Sequence, residues 1–357
     1  MILKWPKILH CVVAIILLML VLSIRGPAHT LQKIELIGNQ LSRQDARFRF
    51  DNENASAGST HQKLNYTEHL RAAYLPAKGH VNPHNFELVI DEPMACINPE
   101  TQTPKQVILL VLIASVHRNF ARRQAIRETW GSPKELGGLP VVTLFLLANV
   151  GDPHLQKLVL EESAEHHDLL MEDFQDTYRN LTLKTTMAMK WASTHCPLAS
   201  FVMKTDDDMF VSYQNLLDYA ASLDMPNTNM AFGLVIAGEA PIRNPMSKWY
   251  MSKDVFPGDL YPPWLSGGGF VLSGDLPRQV YAASLDIRYL PLEDVYVGMC
   301  LEKLKITPIM NRRFSNLHIN YSYCRFRYII TAHMYSPTQL RVMWEELIVQ
   351  KPCWPWT

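Results

Sequence analysis

A chain of 357 residues whose 34 Lys and Arg balance 34 Asp and Glu has no net formal charge and no basic block, which excludes a nucleic-acid binder held by phosphate attraction. The length suffices for one large domain or two modest ones, each with its own core.

At the amino end Lys4 and Lys7 precede the apolar run 8–24, which His10, Cys11 and Ser23 interrupt and Arg25 closes. A helix over that run rises about 25 Å, enough to cross the hydrocarbon core if its ends snorkel. It reads as a single signal anchor. A cleaved signal peptide has an apolar part of about 7 to 15 residues and a small-residue cleavage site, which Ser23-Ile24-Arg25-Gly26-Pro27-Ala28 matches poorly. The excess of positive charge before the run favours a cytoplasmic tail at 1–7 and a luminal remainder. Four Asn-x-Ser/Thr acceptors, Asn54, Asn65, Asn180 and Asn320, agree with that topology.

Residues 25–104 are polar, rich in Asn, His and Pro, and without sustained periodicity; they read as a luminal stem. The pattern then changes. The stretch 107–116 is almost continuously apolar and β-branched, as expected of a strand covered on both faces. Asn119 is placed to cap a helix reaching about Trp130, with Ile126 and Trp130 on one face and Arg123 and Arg127 on another. A second buried strand is predicted at 141–148 and a second helix at 152–167. Leu183, Met187 and Trp191, four residues apart, mark a third helix that ends before Pro197. Residues 201–203 form a further strand. Strands alternating with helices predict an α/β domain with a largely parallel sheet over 105–350, followed by a tail at 351–357.

Three segments of this domain carry candidate chemistry. Lys204-Thr205-Asp206-Asp207-Asp208-Met209 places three carboxylates at the carboxyl end of a buried strand, where open α/β sheets bind ligands. An Asp-x-Asp pair suits Mg²⁺ or Mn²⁺ and, through it, a diphosphate; a solvated turn explains the same run. In Tyr261-Pro262-Pro263-Trp264-Leu265-Ser266-Gly267-Gly268-Gly269-Phe270 the glycines permit close backbone approach and the aromatics offer faces to a sugar, although a tight turn before a strand accounts for it equally. Glu293 and Asp294 fall in the first turn of a helix running to Leu304. There they complement the macrodipole, and either is placed to act as a general base.

These pieces, with Arg122-Arg123-Gln124-Ala125-Ile126-Arg127-Glu128-Thr129-Trp130-Gly131 and Asp173-Phe174-Gln175-Asp176-Thr177-Tyr178-Arg179-Asn180-Leu181-Thr182-Leu183-Lys184-Thr185, resemble in sequence and order the signature blocks of the β-1,3-galactosyltransferase family over about residues 104–348. The resemblance implies a GT-A fold, a nucleotide-sugar domain like half a Rossmann sheet, in a single-pass type II Golgi membrane protein that uses Mn²⁺ and inverts the anomeric centre. It implies that Arg122, Arg127, Lys184, Asp206 and Asp207 lie at the nucleotide and that Asp208 and His333 bind the metal. Asp294 would be the base, with Glu293 the alternative, and Trp249, Tyr261, Trp264, Gly268 and Gly269 would meet the acceptor glycan of a glycoprotein or glycolipid. Arg127 serves equally well as a brace for its helix through ion pairs.

UDP-galactose is the donor that most of the blocks imply. The loop Leu265-Ser266-Gly267-Gly268-Gly269-Phe270 departs from the usual Cys-Ser-Gly-Thr-Gly-Tyr toward the related N-acetylglucosaminyltransferases, which makes UDP-GlcNAc the rival. A non-catalytic glycan-binding member would need neither metal site nor base, and a metal-dependent phosphohydrolase would need no acceptor. Five cysteines beyond the anchor, Cys96, Cys196, Cys300, Cys324 and Cys353, fit no zinc spacing and predict disulfides with one thiol left over. The expected pairs are Cys96 with Cys196 and Cys300 with Cys324. Oligomeric state is not legible in the sequence.

Overall fold

The computed structural model describes residues 80–223, 225–349 and 351–353. The expected tail and anchor at 1–24, most of the stem, and the acceptors Asn54 and Asn65 lie outside them. No helix among the described residues is long and apolar enough to cross a membrane. The chain divides into two compact units, one of residues 61–215 and 225–357, the other of 1–60 and 216–224; the fold and site below belong to the first, except for residues 216–222 of one helix.

Its centre is β2 (Val107–Ala114), whose eight residues are all buried, as the unbroken apolar run predicts. Parallel to it run β4 (Leu139–Asn149) on one side and β6 (Ala199–Asp206) on the other, with Ala114 opposite both Leu146 and Asp206. The carboxyl ends of the three strands therefore coincide, and the acidic run leaves the sheet there. Beyond β4 lie β5 (Leu169–Gln175), parallel, and β1 (Leu88–Ile90), antiparallel; β3 (Glu135–Leu136) is a short hairpin partner of β4. On the other side β9 (Trp264–Ser273) runs antiparallel to β6, then come β8 (Ala231–Ile236) and β10 (Ile309–Met310), giving this sheet nine of the eleven strands among the described residues. The largely parallel sheet expected is thus mixed, because β9 reverses direction. That reversal puts Gly269 opposite Thr205 and sets the glycine run beside the acidic strand end.

Helices α1 (Phe120–Glu128), α2 (Pro153–His166) and α3 (Leu181–His195) follow β2, β4 and β5 as the alternation predicts. Asn119 stands at the start of α1 but makes no capping hydrogen bond; its side chain goes to Asp207 instead. Asp152 does cap α2, accepting from the amides of His154 and Leu155. Next come α4 (Tyr213–Ser222), α5 (Leu276–Leu285) and α6 (Glu293–Lys303), which carries the second acidic pair. A Cβ on Gly298 of α6 would lie 2.6 Å from Trp264 Cβ, so glycine is what lets this helix seat against β9. The short α7 (Tyr323–Phe326) precedes β11 (Thr331–His333), and α8 (Pro337–Ile348) closes the fold with a Ser336–Gln339 capping box.

Residues 80–104, which composition assigned to the stem, fold onto the sheet. His84 Nε2 lies 2.5 Å from Glu172 Oε2 in a buried pair, Asn82 donates to the Tyr296 hydroxyl at 2.8 Å, and Cys96 is bonded to Cys196. Phe86, Leu88 and Ile90 alternate inward along this segment, so a short strand with buried polar anchors joins the sheet where composition alone suggests a stem. The expected Cys300–Cys324 bond is not formed: Cys324 pairs with Cys353, and Cys300 is a buried free thiol on α6. Burial raises the Cys300 pKa to about 12, so it is an inert core residue.

Candidate active site

A cavity of about 460 Å³ opens where β6, β9 and α6 converge. Asp206, Trp249, Tyr261, Trp264, Gly268, Glu293, Asp294 and His333 all line it, so the acidic strand end, the glycine run, the second acidic pair and the carboxyl-terminal histidine form one site. These residues are scattered from 206 to 333 in the chain. Strand pairing and the seating of α6 assemble them.

His333 arrives through a two-stranded ribbon. β7 (Met209–Val211) pairs antiparallel with β11, placing His333 opposite Met209, immediately after the acidic run. His333 Nε2 then lies 3.2 Å from Asp208 Oδ2, and Nδ1 is 3.1 Å from the Asn316 carbonyl. Donation from Nδ1 to that carbonyl would leave Nε2 as the nitrogen available to a cation, an arrangement usual for metal-bound imidazole. The hydrogen bond to Asp208 raises the His333 pKa. Burial would raise that of Asp208, but the hydrogen bond and charge of His333, with Arg122, carry it below the usual range. One carboxylate oxygen and one imidazole nitrogen suit Mn²⁺. Among the described residues no cluster of three or more His, Cys, Asp or Glu is placed to hold a metal.

The three aspartates have separate roles. Asp206 is about a third exposed, faces the cavity and accepts from Lys204. Asp207 points the other way: it is buried and accepts from Ser115 Oγ at 2.6 Å and Asn119 Nδ2 at 2.8 Å, tying the acidic run to the end of β2. Burial raises its pKa against those hydrogen bonds.

The basic residues expected at the nucleotide divide similarly. Arg127 is committed to Asp168, at 2.7 and 2.8 Å, and to Glu162 at 2.8 Å, and stacks on Phe145, so it braces α1 against β4 and α2. Lys184 is buried and reaches the Ser115 carbonyl at 2.7 Å and Asp176 at 2.8 Å, joining the ends of β2 and β5. Neither lines the cavity. Arg122 does not line it either, but its Nη1 is buried with no hydrogen-bond partner among the described residues, and its charge lowers the pKa of Asp207 and Asp208. An unsatisfied guanidinium beside the acidic run is what an anionic ligand would complete.

Of the second acidic pair, Glu293 is enclosed. Its Oε1 lies 2.6 Å from Lys204 Nζ and its Oε2 accepts from Thr185 at 3.1 Å. Burial raises its pKa to about 7 even against the ammonium. Asp294 makes no ion pair among the described residues; its Oδ1 accepts from the Val295 amide at 2.9 Å. Burial raises its pKa too, with backbone hydrogen bonds and Lys204 opposing.

The expected acceptor residues give the cavity two textures. Trp249 is 47% exposed at the rim of the cavity, with Lys248 Nζ 4.4 Å above one face of its ring. Tyr261 and Trp264 are buried and meet edge to face at 5.7 Å, forming wall instead of platform. Gly269 lies behind the wall, where a Cβ would come within 3.0 Å of Thr331. Of the described glycosylation acceptors, Asn320 is exposed, whereas Asn180 is half-buried with its amide donating to the Gln175 carbonyl at 2.8 Å.

Sequence reasoning quoted Lys204, Arg123 and Tyr178 within its blocks but gave none of them a role of its own; Tyr178 lines the cavity. Arg123 is fully buried, bridging Glu162, Ser115 and the carbonyls of Val116 and His117. A lysine ending an apolar strand was a signal for Lys204; nothing local distinguished Tyr178.

The galactosyltransferase family model matches residues 121–312. The chain is 44% identical over 272 residues to beta-1,3-galactosyltransferase 1 of Mus musculus, covering 76% of this chain and 81% of that protein. It is 40% identical over 275 residues to beta-1,3-galactosyltransferase 2 of Homo sapiens, covering 75% and 64%. The solved apo structure of the bifunctional glycosyltransferase WbbM aligns with a TM-score of 0.38 at 10% identity, over 68% of this chain and 47% of that one. The protein is a glycosyltransferase. It belongs to the β-1,3-galactosyltransferase family, as its sequence blocks imply.

Proposed function

We propose that the protein has a GT-A fold and transfers galactose from UDP-galactose to the 3-hydroxyl of an acceptor sugar, a terminal GlcNAc on a glycoprotein or glycolipid, with inversion to a β linkage in the Golgi lumen. The observation that carries the mechanism is the division of labour between adjacent carboxylates: Glu293 is bound to Lys204, while Asp294 lines the cavity without an ion-pair partner among the described residues. Asp294 takes the proton of the acceptor hydroxyl as its oxygen attacks the anomeric carbon. The bond from that carbon to the diphosphate breaks and UDP leaves, so one displacement converts an α-linked donor to a β product without a covalent enzyme intermediate.

Asp208 and His333 would hold Mn²⁺. When bound, the ion supplies Lewis-acid stabilisation of charge developing on the diphosphate. Arg122 adds a fixed positive charge on the same side, and Asp206 faces the nucleoside. Trp249 at the rim offers the acceptor a stacking face.

A second reading, UDP-GlcNAc as donor, has one observation in its favour. Gly268 lines the cavity without a side chain, in the position where galactosyltransferases usually carry threonine, and leaves room for a larger 2-substituent. The test is transfer by the protein with Mn²⁺ and either UDP-sugar to acceptors ending in GlcNAc, Gal or GalNAc, followed by linkage analysis. Galactose in a β-1,3 bond supports the first reading. Transfer of GlcNAc alone replaces it with the second, and acceptor-independent splitting of the donor would sink both.

A further inference from the structure

Lys204 takes no part in the proposed reaction, yet its ammonium stands at the junction of three walls of the site. It is 1% exposed and contacts Asp206 Oδ1 at 2.9 Å, the Gly267 carbonyl at 2.9 Å and Glu293 Oε1 at 2.6 Å. An ammonium has three N–H donors, and here each has an acceptor. The acceptors come from the end of β6, the glycine run of β9 and the first turn of α6, and each of these segments also contributes to the cavity lining. Glu293 is held from its other side by Thr185 of α3. The approach is so close that a Cβ on Gly267 would lie 2.4 Å from Glu293 Oε1.

We propose that Lys204 is a positioning residue: by joining Asp206, Gly267 and Glu293 it fixes the first turn of α6 so that the neighbouring Asp294 carboxylate meets the acceptor hydroxyl. The inference rests on the reading of Asp294 as the base. Glu293 then has a definite task as the handle by which Lys204 grips α6. Misplacing a reacting group by about 1 Å costs roughly 10²-fold in rate, so the effect belongs in kcat and not in donor binding.

The test uses the full chain in detergent, with Mn²⁺, UDP-galactose and a GlcNAc-terminated acceptor, and UDP affinity measured by calorimetry. Lys204→Met is expected to lower kcat about 10²-fold while UDP affinity stays within about threefold. Added to Asp294→Asn, the same change is expected to cost less than about threefold more, because no base remains to be positioned. Glu293→Gln, which keeps a carbonyl for Lys204, should retain at least about tenfold more turnover than Glu293→Ala. Wild-type kcat in Lys204→Met beside an inactive Asp294→Asn overturns the positioning role alone. So does an equal loss of UDP binding, or an undiminished effect in the Asp294→Asn background. If Lys204→Met fails to fold, equal turnover in the Gln and Ala variants of Glu293 overturns it instead. Full turnover in Asp294→Asn removes the base reading, and Lys204 then has nothing to position.

Discussion

Glu293 and Lys204 meet at 2.6 Å across 89 residues of chain, and this contact separates two carboxylates that are neighbours in sequence. One is claimed by a cation and the other is left facing the cavity. Asp294→Asn should therefore reduce kcat by about 10²- to 10⁴-fold, the usual contribution of a general base, with the thermal midpoint and the donor KM nearly unchanged. Steady-state kinetics beside a thermal melt measures this; retained turnover in a folded variant would exclude the role.

The pH dependence follows from burial. Asp294 accepts a proton only when ionised, and its pKa lies above the ordinary aspartate value. Activity should thus rise with pH through an acid limb placed higher than an exposed aspartate would give, and fall as pH drops through that raised value. Glu293 acts on stability with the opposite trend. Its folded-state pKa of about 7 exceeds the ordinary glutamate value of 4.5, so its proton stabilises the folded form fully below about pH 4.5, and that contribution is lost as pH rises through about 7. Melting temperatures of Glu293→Gln and the parent across this window should diverge as pH rises, with the parent losing more.

Arg122 and Arg127 lie on one helix and should fail differently. Arg122→Ala removes an unsatisfied guanidinium beside the acidic run and should weaken UDP binding about tenfold without altering the melt. Arg127→Ala leaves Asp168 and Glu162 short of a partner and should lower stability by about 1–3 kcal/mol while UDP affinity holds. Calorimetry and denaturant titration on both variants would show the two effects exchanged if the assignment were reversed.

Non-reduced peptide mapping should recover Cys96 with Cys196 and Cys324 with Cys353, and alkylation should reach Cys300 only after denaturation. The Cys324–Cys353 bond closes a separation of 29 residues, for which chain entropy gives about 3–4 kcal/mol, so Cys353→Ser should lower stability by up to that amount. A recovered Cys300–Cys324 peptide would contradict the fold around α6.

How much of this was legible depends on whether the signal was local. The run over β2 announced a doubly covered strand because every position is apolar, and the order of the sequence blocks carried the family. The reversal of β9 was not legible: an antiparallel strand covered on both faces has the same composition as a parallel one. Nor was the sorting of charged residues. Arg122 and Arg127 are alike in sequence, as are Asp206 and Asp207, and what distinguishes each pair is a partner such as Asp168 or Ser115 that only tertiary packing supplies. The missed disulfide has the same origin, since Cys300 points into the core from a helix whose periodicity says nothing about its neighbours.

The ribbon of β7 and β11 also has a bearing on biosynthesis. Asp208 and His333 are 125 residues apart, and His333 lies on the second strand of that ribbon. While the chain emerges from the ribosome, the acidic run is complete long before its histidine exists. A nascent chain that has emerged as far as the acidic run holds Asp208 but not the histidine it contacts. Premature termination anywhere between the glycine run and residue 331 would leave a chain able to form most of its sheet but missing one side of its catalytic chamber.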